Sequence, residues 1–237
     1  MKTALILKFL EKYAVFNTKA VSSILKKDSS YINLLLYRLK KSENIFEIER
    51  DKYTTHRDAF LISSRIVWPS YISIWSALRF YNLTEQIPHS VFIVTTRKRR
   101  KMEIEFANTK IYFILTKPKY FFGFKKIEFK GFDIFIAEPE KAVIDGMLFK
   151  KISLSEIFFI LKNNIKTLSI DRLLSYAIKT KNKALIKRLG FLLDNLGFDY
   201  YNRLKKHVYY PYTPLEYNLP VGGRYNEKWR IVENVKV

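Results

Sequence analysis

The stretch TKAVSSILKKDSSYINLLLYRLKKSENIFEIERDKYTTH, residues 18–56, places two short amphipathic runs around a polar turn, then two β-like segments around a charged tetrapeptide. Thr18 stands where it would cap the first run, KAVSSILKK, whose Ala20, Val21, Ile24 and Leu25 fall on one face. KDSS is the turn, and Asp28, Ser29 or Ser30 is available to cap the second run. That run, YINLLLYRLKK, puts Ile32, Leu35, Leu36 and Leu39 at i, i+3, i+4 and i+7, an apolar stripe that needs a core. Its other face carries Ser30, Tyr31, Asn33, Tyr37, Arg38 and Lys41, all hydrogen-bond donors. Beyond SEN, the segments IFEI and YTTH joined by ERDK read as a β-hairpin with a charged tip. Upstream, Leu5, Phe9 and Tyr13 recur every four residues with Ile6 and Leu10 beside them, which predicts a first helix with one buried stripe.

Helix, helix, turn, helix, hairpin is the order of a winged helix-turn-helix. A lone helix is narrow enough to enter a DNA major groove N-terminus first, with its side chains at base edges and a hairpin touching the backbone alongside. The residues placed to make such contacts are Ser29, Ser30, Tyr31, Asn33, Tyr37, Arg38 and Lys41 on the helix, with Arg50 and Lys52 on the hairpin. Residues 1–57 hold 12 Lys and Arg against six acids, a balance that suits phosphate. Glu47, Glu49 and Asp51 around the hairpin work against a tight phosphate grip there. The same fold also serves protein contacts alone, and that alternative stays open.

The whole chain has 237 residues, 43 Lys and Arg against 22 Asp and Glu, and a formal net charge of +21. A polyanion is the partner such an excess favours, nucleic acid first, ahead of an acidic protein surface or an anionic membrane. At 48% hydrophobic and 16% aromatic the chain can bury a sizeable core. The absence of cysteine excludes disulfides and thiolate metal sites. His56, His89 and His207 show no paired ligand spacing, so no metal and no cofactor are expected. Lys8, Glu11 and Lys12 interrupt the apolar start, which reads as an amphipathic helix rather than a leader peptide. No stretch approaches the length of a membrane span, and a cytoplasmic location is expected.

Punctuation divides the chain into three regions: a winged helix-turn-helix over 1–60, a central mixed α/β domain over 61–150, and a helical region with an aromatic tail over 151–237, an α+β protein overall. Ser73–Tyr81 reads as a helix with Ile74, Leu78 and Tyr81 on one face, and VFIVTT, KIYFILT, KKIEF and FDIFIAE as strands. TTRKRRK is the densest charge run, and Arg97, Lys98, Arg99, Arg100 and Lys101 are candidates for a second nucleic-acid contact or for a solvated loop. Phe113, Tyr120, Phe121, Phe122 and Phe124 alternate with charge in the manner of half-buried strands, though exposed they would stack on bases. Glu138, Glu140, Lys141 and Asp145 gather at a helix start, and a capped, salt-bridged first turn accounts for them. A metal-dependent nuclease core would need a different spacing, and no phosphate-cradling glycine loop or nucleophile elbow occurs. The chain reads as a non-enzyme.

In the last region Ser153, Ser169 and Asn182 stand as caps of three helices, Gly190 where close helix packing needs a small residue, and Gly197 where the third helix ends. Trp229 reads as a core anchor and WRIVENV as a strand closing a sheet edge. Such a helical module serves interaction or dimerisation, and a homodimer would read two half-sites.

The blocks IWSALRFYNLTEQIP, VFIVTT followed by basic residues, FFGF, FDIFIAEPEKAVIDGML and NEKWRIVEN resemble the AbiEi antitoxin family, in matching order over nearly the whole chain. The resemblance implies an N-terminal winged helix-turn-helix that binds double-stranded operator DNA and autorepresses its own operon. It also implies opposition to a nucleotidyltransferase-like toxin without a stable antitoxin–toxin complex. A standalone winged-helix regulator without a toxin remains an alternative, as does an RNA-binding protein acting through the central basic and aromatic surface.

Overall fold

Capping side chains and short apolar runs set the elements of this mixed α+β protein, whose computed structural model describes residues 3–86 and 89–236. Ile87 and Pro88 of the Leu-Thr-Glu-Gln-Ile-Pro block lie outside the described residues. The chain forms two units interleaved in sequence. One comprises Met1–Ile72, Pro88–Thr116 and Lys125–Ile136, and the other Ser73–Ile87, Lys117–Phe124 and Ala137–Val237.

The first unit begins with α1 (Thr3–Leu10), α2 (Thr18–Leu25), α3 (Ser29–Lys41) and an antiparallel hairpin of β1 (Phe46–Glu49) and β2 (Lys52–Thr54). Asn17, not Thr18, caps α2: its side-chain oxygen accepts from the Ala20 amide at 2.8 Å, and its extended backbone is the conformation a cap requires. Asp28 caps α3 in the same way, from the Tyr31 amide at 2.9 Å. Ile6, Leu10, Phe16, Val21, Ile32, Leu36, Leu39 and Ile45 close into one cluster, with Leu7, Leu25, Leu35 and Tyr53 at its margin. Each fully buried side chain of this kind contributes about 1.5–3 kcal/mol. Phe16 pairs its backbone with Tyr53 in both directions, an isolated antiparallel bridge to β2. The stripe of α1 is turned from the expected one: Ile6 and Leu10 go inward, while Leu5, Phe9 and Tyr13 are exposed.

A six-stranded sheet is made of β3 (Ser70–Ser73), β4 (Ser90–Thr95), β5 (Glu103–Phe106), β6 (Thr109–Leu115), β7 (Phe124–Phe129) and β8 (Phe132–Ala137), in the order β5-β6-β4-β3-β8-β7. β4 runs parallel to β6 from Ser90↔Lys110 to Thr95↔Leu115, β3 runs parallel to β8, and β5 is antiparallel to β6. Asp58 caps α4 (Ala59–Ile66), accepting from the Phe60 and Leu61 amides, and this helix packs on β4 and β6.

The second unit holds α5 (Ile74–Phe80), α6 (Pro139–Leu148), α7 (Leu154–Asn164), α8 (Ile170–Thr180), α9 (Lys183–Asn195) and the short α10 (Tyr201–Leu204). Ser153, Ser169 and Asn182 each cap the helix they precede. α6 packs against α5, α7 and α8, and α8 against α9. β9 (Thr213–Pro214), β10 (Arg224–Asn226) and β11 (Ile231–Glu233) form a small sheet in the order β10-β11-β9. Thus the strand in WRIVENV is the centre of its sheet, not the expected edge. Trp229 is fully buried, and a Cβ added at Gly190 would lie 2.1 Å from its ring, so only glycine permits that approach.

Candidate nucleic-acid interface

The Asp28 cap and the Ile32–Leu36–Leu39 stripe fix both the start and the rotation of α3, and so decide which side chains it presents. Ser29, Ser30, Tyr31, Asn33, Tyr37, Arg38 and Lys41 are all exposed, as expected from their positions. Residues 29–41 contain no carboxylate, and neither Arg38 nor Lys41 makes an ion pair among the described residues. Asp28 itself is held below the ordinary aspartate range, chiefly by the Tyr31 amide that it accepts. Leu34, 48% exposed, sits on the same outward face. The periodicity hides it, because the run Leu34–Leu35–Leu36 contains one outward, one marginal and one inward leucine.

The hairpin tip is organised by Glu49. Its carboxylate accepts from Lys52 at 2.7 Å and from the two terminal nitrogens of Arg99 at 2.6 and 3.3 Å. Partial burial acts to raise the Glu49 pKa, but the hydrogen bonds from Arg99 and Lys52 outweigh it and leave the carboxyl below the usual range. Lys52 also donates to the Ile66 carbonyl, so its ammonium is held by the protein itself, which makes it the less available of the two hairpin cations. Arg50, by contrast, is exposed and without an ion pair among the described residues. Asp51, at φ 57°, turns the chain and accepts from the Thr18 amide at 2.9 Å, which ties the hairpin tip to the start of α2. Lys40 pairs with Glu47 at 2.6 Å, an exposed pair of small energetic weight.

The basic run 97–101 divides in two. Arg99 is structural: its side chain is 8% exposed, paired with Glu49 and lying 3.8 Å over the Phe113 ring. Its guanidinium is thus committed to the protein itself, unlike those of its basic neighbours. Arg97, Lys98, Arg100 and Lys101 remain exposed, with Arg97 donating to the Trp68 carbonyl at 3.2 Å. Arg99 holds this loop against the hairpin, and with Arg100, Lys101, Arg50, Glu49, Glu103 and Glu105 it lines a cleft of about 640 Å³. Most of the aromatic residues near this run pack on protein neighbours. Phe113 is buried in the first unit, while in the second Phe121 packs on Phe124 and Phe122 on Tyr176.

Glu138, Glu140, Lys141 and Asp145 are bound up in the second unit. Glu138 stands at the cap position of α6 without capping it and accepts from the Tyr176 hydroxyl. Glu140 accepts from the Ser169 amide at 2.8 Å and from Arg172, which joins α6 to the start of α8. Lys141 and Asp145 form a fully buried pair, and Ser73 donates to Asp145 at 2.8 Å. Burial pushes the Tyr81 and Tyr176 hydroxyls up to about 12. No group of His, Asp and Glu among the described residues is arranged to hold a metal ion, and no described helix is long and apolar enough to cross a membrane. No protein-family model matches the chain, and no curated protein matches it.

Proposed function

We propose that α1–α3 and the β1–β2 hairpin are a winged helix-turn-helix that reads double-stranded DNA, with α3 in the major groove. One observation carries this reading: an exposed, carboxylate-free face of α3 made of hydrogen-bonding side chains, on a helix whose other face is locked into a core. Arg38 and Asn33 are the side chains suited to base edges, and Leu34 is suited to a thymine methyl group. Arg50 at the wing tip, with Arg97, Lys98, Arg100 and Lys101 on the adjoining loop, meets phosphates. The order of sequence blocks further supports a cytoplasmic transcriptional regulator of AbiEi antitoxin type, a non-enzyme that autorepresses its operon and opposes a nucleotidyltransferase-like toxin.

A gel-shift titration on the gene's own upstream DNA against a scrambled duplex, at two salt concentrations, tests the reading. A preference for the native duplex that survives the higher salt means base readout, whereas equal binding that collapses with salt is counterion release alone and overturns it. Arg38→Ala and Asn33→Ala each weaken native-site binding by about 1–3 kcal/mol, roughly five- to 150-fold, and Lys98→Ala weakens native and scrambled duplexes alike. Antitoxin action is tested separately, by growth of cells that express the neighbouring gene with and without this chain. Equal growth in the two cases removes that part of the proposal and leaves a standalone regulator.

A further inference from the structure

A group of exposed aromatic side chains lies far along the chain from α3. Tyr210 is 76% exposed and Tyr225 61%, with Tyr209 also on the surface. They belong to the segment 208–215 and to β10. The Tyr212 ring stands between Tyr210 and Tyr225 at centroid distances of 6.4 and 5.1 Å, near-perpendicular to both. Arg230 donates to the Tyr212 hydroxyl at 2.9 Å and lies over its ring.

The platform is built rather than incidental. Lys187 and Arg188 of α9 are both buried, and both turn their donors to this segment: Lys187 to the Pro211 carbonyl and the Thr213 hydroxyl, Arg188 to the Pro214 and Leu215 carbonyls. Thr213 and Leu215 also pair their amides with Arg230 and Val232 of the adjoining strand region. Buried cations are costly unless fully hydrogen-bonded, and here they hold the backbone that carries the exposed rings. Cations occur along the same segments. Lys183 lies 3.9 Å over Tyr209, and Lys205, Lys206 and Arg224 are exposed. Between residues 205 and 226 the single carboxylate, Glu216, is buried and accepts from the Leu154 and Tyr217 amides, while Glu233 stands opposite Arg224 in the β10–β11 register and the exposed Glu227 follows β10.

We propose that this face of the second unit binds single-stranded nucleic acid, with bases stacking on Tyr210 and Tyr225 and phosphates meeting Arg224, Lys205 and Lys206. Every base has a π-face, so exposed rings on a segment rich in cations favour a strand whose bases are unpaired. A duplex buries those faces. The site is independent of α3 and goes beyond operator binding.

The test is fluorescence anisotropy of the full-length protein with end-labelled single strands of about ten nucleotides, oligouridine and oligothymidine, in the presence of excess unlabelled duplex. The expected result is binding that falls at least about tenfold in the Tyr210→Ala/Tyr225→Ala double variant and stays within about twofold in the corresponding Phe variant. Arg38→Ala leaves it unchanged, which separates this site from the operator-reading one. Tighter binding of oligouridine identifies RNA through its 2′-hydroxyls, and equal binding identifies single strands in general. Undiminished binding by the double alanine variant, with its melting temperature intact, overturns the proposal in favour of charge alone. Failure of the wild type to hold either strand against duplex overturns it too, and assigns the tyrosines to a protein partner.

Discussion

Glu49 and Arg99 are 50 residues apart in sequence, and neither forms part of a recognisable motif, yet their two-point contact fixes the loop 97–101 beside the hairpin tip. Removing the guanidinium by Arg99→Ala leaves a half-buried carboxylate with Lys52 as its remaining ion-pair partner. The expected destabilisation is about 1–3 kcal/mol, read by urea unfolding near neutral pH. Its pH dependence has a definite sign. The folded Glu49 carboxyl lies below its ordinary value of 4.5, so its contribution is complete above that value and is lost as pH falls through the folded pKa. The gap between wild type and variant therefore narrows in acid, and a gap that widens there would refute the assignment. Gly190 gives a second residue-scale case. Gly190→Ala drives a methyl group into Trp229 and lowers the melting temperature, with a cost of at least about 1–3 kcal/mol. Gly222→Ala meets nothing within 4 Å and is expected to leave the melting temperature where it is. The glycine could be read from sequence as a close-packing position, but the partner 39 residues away could not, because nothing local links them.

Elements were legible where one side chain or one periodicity decided them. Ser153, Ser169 and Asn182 each sit just before a strongly patterned helix, and each caps it. The α1 stripe is ambiguous because i, i+4 spacing generates two adjacent lines, Leu5–Phe9–Tyr13 and Ile6–Leu10, and composition does not say which turns inward. β3 and β5 are four residues long and α4 has eight, too short for either period to declare itself. At the start of α2 two good cap residues, Asn17 and Thr18, are adjacent, and the choice rests on backbone geometry alone. Asn17→Ala is accordingly expected to cost about 0.5–2 kcal/mol in thermal or urea unfolding. Thr18→Ala stays near zero, since what Thr18 contributes is its backbone amide to Asp51. The reverse order of the two losses would place the cap at Thr18 after all.

At the scale of the whole molecule, the formal charge of +21 overstates what a polyanion meets, because cations differ in whether they are already spent. Lys52, Arg99, Lys141, Lys187 and Arg188 are turned to carboxylates or carbonyls of the protein itself. Arg50, Arg100 and Lys101 are presented to solvent around one cleft, with Glu103 and Glu105 on its wall to limit how closely phosphate approaches. The sequence ranks Arg50 and Lys52 as equals on the hairpin, whereas the structure separates them. Counterion release converts that difference into a measurable slope. Each phosphate contact contributes about one to the dependence of log K on log salt. Arg50→Ala and Arg100→Ala should each lower the salt slope of duplex binding by about one, with little change in folding stability. Lys52→Ala should leave the slope unaltered and lower stability instead, through the loss of its bonds to Glu49 and the Ile66 carbonyl. If Lys52→Ala reduces the slope as much as Arg50→Ala does, then the ammonium leaves the protein for the phosphate on binding. The hairpin would then have to rearrange on DNA, and the Glu49 cluster would act as its latch rather than as its anchor.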